Sequence, residues 1–310
     1  MIPAPILLIG GLIGLILGSE LAVRSARSIA SQLGLSSLVV GLTVASVGTS
    51  VPEIATNVMV GVNSLAGTDA SGVAVGNILG SCLSQVTLLL GIAALARGLK
   101  AQIVRADVIA VVLAIVAAAL ASFDGVVQRA EGVALVCGYI VYLVLVYQRK
   151  REQVASDEVV SQTPLGVDVA LGVLALVVVS ASAQGVVSGA TSLATAWGLS
   201  ETTLGVLVGV GTGLPELAVA LSAVRQRDDG IAVGNLIGSN ITDPLLSFGL
   251  GSIVHPVTVP VTELLTDFFF WVGGTVIALL LLSTGRELDR QEAAVLLVVF
   301  ALYLSMRILN

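Results

Sequence analysis

Long apolar stretches, broken by short polar or Gly/Pro interruptions, run through almost the whole chain. They predict helices over residues 3–30, 35–62, 70–96, 103–121, 127–147, 165–195, 199–224, 229–253, 265–283 and 290–308. Several of the stretches reach or exceed the roughly 20 residues that a helix needs to span a bilayer. The only extended polar segment is 148–164, QRKREQVASDEVVSQTP, which predicts a linker between halves 1–147 and 165–310. The pattern therefore predicts an all-α polytopic membrane protein of ten transmembrane helices. No polar segment is long enough to hold a large soluble domain. The first stretch has no Lys or Arg before Arg24, so it lacks the positive start of a cleaved signal peptide and reads as the first span.

Composition agrees with this. Of 310 residues, 56% are hydrophobic and 11% charged, where soluble domains carry about 25% charged residues. The basic residues test the helix count. With ten spans, one side collects Arg24, Arg27, Arg97, Lys100, Arg105, Arg149, Lys150, Arg151, Arg225, Arg227, Arg286 and Arg290, leaving Arg129 and Arg307 on the other. The positive-inside rule makes the rich side cytoplasmic and puts both termini outside. Cys82 and Cys137 lie in apolar runs and read as packing residues. His255, the single histidine, has no nearby partner for a zinc site.

The two halves repeat. SLVVGLTVASVGTSVPEIA (37–55) matches TTLGVLVGVGTGLPELA (202–218), and DASGVAVGNILGSCLSQ (69–85) matches RDDGIAVGNLIGSNITD (227–243). Five helices per half is an odd number, so the second copy is inverted. Inverted repeats with a midplane site on interrupted helices are a recurring plan in secondary transporters.

Each repeat buries polar chemistry in an apolar run. Pro52 has no N–H to offer the Gly48 carbonyl, and Pro215 none for Gly211. Such carbonyls are tolerated in a bilayer only beside protein or a wet cavity. Thr49 and Ser50 stand four and three residues before Glu53, on one helical face if the helix is only kinked. Asn77, Ser81 and Gln85 share a face by four-residue spacing, as do Asn235, Ser239 and Asp243. The ladders Gly72, Gly76, Gly80 and Gly230, Gly234, Gly238 let helices approach closely. Carboxylates, hydroxyls, amides and freed carbonyls form an oxygen set suited to a hard cation such as calcium, and intramembrane carboxylates usually mark an ion path. For Asn77 and Asn235, structural hydrogen bonding and ion contact are equally open.

On GTSVPE with GNILGS and GTGLPE with GNLIGS, the chain resembles the calcium/cation antiporter superfamily, specifically its prokaryotic sodium/calcium exchangers, over essentially its whole length. The resemblance implies two inverted five-helix repeats around one calcium site flanked by sodium sites. It implies Glu53 and Glu216 as main calcium ligands with the carbonyls of Thr49 and Thr212. Ser50, Ser81, Ser239 and Asp243 would form or share sodium sites, and Ser46 and Gly209 would offer outer carbonyls. The first and sixth helices would slide across the rest in alternating access. The chain departs from the pattern at Gly213, where a serine is usual, and at Gln85, where asparagine is common. The run 205–216 is one residue shorter than 41–53, and Pro244 follows Asp243.

The expected function is exchange of calcium for sodium, with a proton-coupled calcium or other divalent antiporter as the alternative. The transported ions are calcium and sodium, and no resident cofactor, nucleic acid or protein partner is expected beyond membrane lipids in a prokaryotic cell membrane. An intramembrane enzyme would need a Ser/His or Ser/Lys pair, paired aspartates or metal-binding histidines, and none lies at suitable depth. Remaining polar residues carry plainer readings. Glu20 reads as an interface anchor and Asp107 and Asp267 as helix-start residues. Asp124, Asp228 and Asp229 read as solvated loop residues, Trp197 and Trp271 as interfacial aromatics, and Arg149 to Arg151 as topology determinants.

Overall fold

The computed structural model describes residues 3–67, 71–100, 103–150, 163–197, 211–283 and 287–309. It is nearly all helix. α1 (Ala4–Leu33) ends on Gly34, whose left-handed φ of 61° suits glycine. α2 (Ser37–Thr49) and α3 (Val51–Leu65) form one broken rod bent by 45°. α4 (Ser71–Arg97), α5 (Arg105–Ala121), α6 (Arg129–Lys150) and α7 (Leu165–Ala196) follow. Then come α8 (Leu214–Arg225), α9 (229–254), α10 (Val261–Ser283) and α11 (Arg290–Leu309). A two-residue ribbon, β1 (Val126–Val127) with β2 (Val257–Thr258), is the one sheet among the described residues. The helices follow the predicted ranges to within a few residues. α6 runs three residues into the predicted linker, most of which lies outside the described residues. The predicted 199–224 helix is described only from 211. Among the described residues, five helices are long and apolar enough to cross a membrane, and a sixth if α2 and α3 count as one span.

α9 is the axis of the fold. Every residue from Ile231 to Thr242 is buried, as expected of a helix enclosed on all sides. Glycine brings α2 against it. A Cβ on Gly234 would stand 2.5 Å from the Leu38 carbonyl oxygen, and one on Gly238 2.7 Å from that of Leu42. The matching ladder on α4 behaves differently. Gly72 and Gly76 are exposed, and a Cβ on Gly72, Gly76 or Gly80 would meet nothing within 4 Å among the described residues.

α1 and α7 pack together antiparallel at the periphery. Gly11 lies against Ser182 and Val186, and Gly189 against Ala4 and Leu8. Such small-residue seams bring helix backbones close where hydrophobic exclusion does not drive association. Their outer faces carry Ile9, Leu12, Ile13, Leu17, Val173 and Val177, all exposed. At one end of the pair Asp168 accepts hydrogen bonds from Ser28, Gln32 and Thr163.

Charges collect at the two ends of the bundle. One end joins Arg27 to Asp228 at 3.3 Å, Arg97 to Asp229, Lys100 to Glu287 at 3.2 Å and Arg225 to Glu20 at 3.2 Å. The other carries the β1–β2 ribbon, with Arg129 on the Val254 carbonyl and Arg307 on Asp267. Glu20 thus anchors an interface as expected. Asp228 and Asp229 do not sit solvated in a loop. Both pair with arginine across helices, and Asp228 also caps α9 through the Ile231 N–H. Asp267 lies in the second turn of α10, not at its start, and binds Tyr303 and Arg307. Asp107 does sit in the first turn of α5, its carboxylate accepting the Val104 N–H.

A candidate cation site at the helix breaks

Two breaks frame the site. At Ser50 the backbone leaves the helix (φ −77°, ψ 6°), and Pro52 is the second residue of the helix that follows. At Gly213 it does the same (φ −81°, ψ 2°), with Pro215 placed identically. Proline is tolerated in a first turn because no intrahelical bond is expected of its nitrogen there. Glu53 and Glu216 therefore both stand in the first turn of the helix after a break, and both are fully buried.

Each glutamate is clamped through its own carbonyl. Asn77 donates its side-chain N–H to the Glu53 carbonyl at 3.4 Å, and Asn235 donates to that of Glu216 at 3.3 Å. Asn235 is engaged at its oxygen as well, accepting from Thr49 Oγ1 at 3.0 Å. The two ends of Asn235 thus hold α2, α8 and α9 together.

A second doubling follows about two turns on. Both α4 and α9 widen into a single π-helical turn, over Gln85–Leu89 and Asp243–Ser247. Such bulges often accompany functional sites. Pro244 is not their common cause, since Val86 stands at the matching place in α4. A third π turn, Gly41–Ala45, lies in α2 where Gly41 meets Gly234.

Thr49, Ser50, Glu53, Gln85, Glu216, Asn235, Ser239 and Asp243 are all fully buried in this region. Ser50 Oγ donates to Ser239 Oγ at 3.3 Å, joining the first break to α9. Glu53 lies within electrostatic range of Glu216 and Asp243. Asp243 lies beside Gln85, Ser50 and Ser81, and Gln85 Nε2 donates to its Oδ2 at 2.9 Å. The Thr49 and Ser50 hydroxyls also approach the Glu216 carboxyl, while bonding to Asn235 and Ser239. Among the described residues, neither oxygen of Glu53 or Glu216, nor Oδ1 of Asp243, has a hydrogen-bond partner. Five buried carboxylate oxygens thus share one polar region with no hydrogen-bond partner among the described residues. Charges so placed must be neutralised by bound protons or cations, so the donor set fits a hard cation.

The remaining candidates sit at the margins. Asn77 is half-buried, and Ser81 spends its hydroxyl on the Asn77 carbonyl. Ser46 is buried, with its hydroxyl on the Leu42 carbonyl at 2.9 Å and near Thr242. Its own carbonyl accepts the Ser50 N–H at 3.0 Å. Thr212 is half-buried at the second break, and Gly209 lies outside the described residues. Among the described residues, no three acidic, Cys or His side chains converge closely enough to hold an ion by themselves. Hydroxyl and backbone oxygens are therefore needed to complete any coordination shell.

Sequence reading missed Asn57, Asn240, Thr242 and Ser247, all fully buried. Asn57 donates to Ser247 Oγ at 2.6 Å, and its Oδ1 has no partner among the described residues. Both were findable, because Asn57 is four residues past Glu53 and Ser247 four past Asp243. Trp271 is a correction: it is buried, not interfacial, and donates to Asn240 Oδ1 at 3.0 Å. Trp197, largely exposed at the end of α7, fits the interfacial reading.

A helical membrane body around a buried oxygen-rich site with unpaired carboxylates defines the class: an integral membrane cation transporter. The sodium/calcium exchanger protein family model matches the chain over residues 3–148 and 167–309. The chain belongs to that family, one of antiporters rather than enzymes. It is 30% identical to the putative antiporter CaxA of Alkalimonas amylolytica, covering 98% of each chain. It is 29% identical to the sodium/calcium exchanger MaX1 of Methanosarcina acetivorans, covering 96% of this chain and 97% of that one. Its fold matches the sodium-calcium exchanger NCX_Mj with a TM-score of 0.82 at 27% identity, over 97% of both chains.

Proposed function

We propose that this protein exchanges calcium for sodium across a prokaryotic cell membrane by alternating access at a midplane site between two inverted five-helix repeats. The observation that carries the reading is the set of five buried carboxylate oxygens on Glu53, Glu216 and Asp243 that have no hydrogen-bond partner among the described residues. Glu53 and Glu216 are the main calcium ligands, aided by the carbonyls of Thr49 and Thr212. Ser50, Ser81, Ser239 and Asp243 hold or share the counter-cation.

Helix directions support ten crossings in two halves, 1–147 and 165–310. α1 and α7 run antiparallel, since Gly11 faces Ser182 while Gly189 faces Ala4. α2–α3 and α9 run parallel, since Leu38 meets Gly234 while Gly61 meets Val254. α6 opposes α9, with Gly132 against Ile253 and Tyr139 against Thr242. Those senses are the ones expected of crossings one, six, two, eight and five in order. The two separate family matches, 3–148 and 167–309, support the same division. The end bearing Arg27, Arg97, Lys100 and Arg225 is the cytoplasmic one by the positive-inside rule, which puts both termini outside.

Exchange follows from competition. A bare cluster of buried carboxylates is too costly to reorient, so only states neutralised by calcium or by counter-cations cross. α7 touches the first break through Leu176 against Gly48, beside an apolar crevice of about 760 Å³ lined by Val44, Val47, Val177 and Ala181. On this reading the α1–α7 pair slides along that apolar face. Proton coupling is the second reading, favoured by the Gln85 N–H on Asp243, which places a donor where a sodium ion needs an oxygen.

The test is calcium flux in proteoliposomes under imposed sodium, potassium or proton gradients. A sodium gradient is expected to drive calcium uphill. Flux driven by a proton gradient without sodium selects the second reading, and no gradient-driven flux refutes antiport.

A further inference from the structure

A chain of hydrogen bonds reaches Asp243 from outside the site. Trp271 Nε1 on α10 donates to Asn240 Oδ1 at 3.0 Å, Asn240 Nδ2 to Gln85 Oε1 at 3.0 Å, and Gln85 Nε2 to Asp243 Oδ2 at 2.9 Å. Trp271 is 2% exposed and the other three are fully buried. We propose that Trp271 and Asn240 are positioning residues that exclude sodium from the Oδ2 side of Asp243, leaving the counter-cation its Oδ1 side, by holding Gln85 with its N–H rather than its oxygen toward the carboxylate.

The direction of the chain is fixed at its outer end. An indole N–H can only donate. Asn240 must therefore turn its oxygen to Trp271 and its N–H₂ to Gln85. Gln85 must then accept through oxygen and donate through nitrogen to Asp243. Flipping either amide would oppose two donors, or leave the buried indole N–H unsatisfied, which costs more than a typical hydrogen bond is worth. A cation bound at Asp243 Oδ2 would face the positive end of the Gln85 amide, while Gln85 Oε1 is already engaged by Asn240. Asp243 Oδ1 has no hydrogen-bond partner among the described residues, with Ser50 and Ser81 near the carboxylate. Its titratable neighbours are Glu53, Glu216, Cys82 and Tyr139. Trp271 is itself held by an edge-to-face contact with Phe268, centroids 6.0 Å apart. Phenylalanine at 271 can keep that contact while losing the donor.

The inference rests on the antiport reading, and the experiment separates the two. Calcium-45 binding to the full-length protein is measured in nanodiscs with and without sodium, for the unaltered protein, Trp271→Phe and Asn240→Leu. Both substitutions free Gln85 to turn its oxygen inward. The sodium concentration that half-displaces calcium should fall about tenfold, the scale of exchanging one hydrogen bond to a charged group, while calcium affinity without sodium stays within about twofold. Unchanged sodium displacement, or loss of calcium and sodium affinity by one common factor, overturns the inference. If the unaltered protein binds no calcium, the antiport reading itself fails. Sodium-induced infrared difference spectra of the unaltered protein, with glutamine side-chain carbonyls carrying carbon-13, do not depend on the variants folding. No glutamine carbonyl band should move, and a sodium-dependent shift overturns the inference.

Discussion

The two copies of the Pro-Glu phrase are built alike and finished differently. In both, the backbone breaks at the same angles, a proline opens the next helix, a buried glutamate follows, and an asparagine clamps that glutamate's carbonyl. The finishing differs in three ways. The first copy keeps the Ser50 hydroxyl where the second has Gly213. The second supplies Asp243 where the first has Gln85. The α9 glycine ladder is pressed against α2, whereas the α4 ladder meets nothing close among the described residues. On the proposed reading, what the copies share would bind calcium. On the same reading, counter-ion choice and mechanical asymmetry would reside in what they do not share.

Breaking the shared part should have the largest effect. Glu53→Gln and Glu216→Gln should each lower calcium affinity by about a hundredfold or more, because each removes a buried charge whose partner is the ion. Titration calorimetry checks this, and unequal losses would mean that the two glutamates are not equivalent. Next come the α9 contacts. Asn235→Leu strands both the Thr49 hydroxyl and the Glu216 carbonyl, and should cost about 1–3 kcal/mol in thermal unfolding in detergent. Gly234→Val forces side-chain atoms against the Leu38 carbonyl and should cost a similar ~1–3 kcal/mol.

The same substitutions in the first copy should be milder. Asn77→Leu loses one long bond at a half-buried site, about 0.5–1.5 kcal/mol. Gly76→Val points into open space and should stay within about 0.5 kcal/mol. If the two ladders respond alike, their observed difference has no energetic content. The smallest effect is Gly213→Ser, which restores the hydroxyl of the first copy. It should strengthen sodium's displacement of calcium by about threefold, the net scale of one neutral polar contact, as read in calcium-45 competition.

Much of this was legible in the sequence, because a bilayer leaves few options. Apolar stretches must be helices, and a glutamate inside one must have a purpose. The breaks were readable from Pro52 and Pro215, and the polar ladders from four-residue spacing. What failed depended on partners distant in the chain. Asp228 and Asp229 look like loop aspartates until Arg27 and Arg97 arrive from other helices. Trp271 looks interfacial because tryptophan near a predicted helix end usually is, yet its ring is buried and bonded to Asn240, 31 residues away. The difference between the glycine ladders was equally hidden, since identical spacing permits close approach without requiring it.

The central claim is that calcium lies between the two helix breaks, bound by both glutamates. Anomalous scattering from a crystal soaked in calcium or strontium locates the ion directly. The account predicts one strong peak within about 2.3–2.6 Å of carboxylate oxygens from both Glu53 and Glu216, completed by hydroxyl or backbone oxygens. A peak bound by only one of the two, or lying away from the breaks, would contradict it.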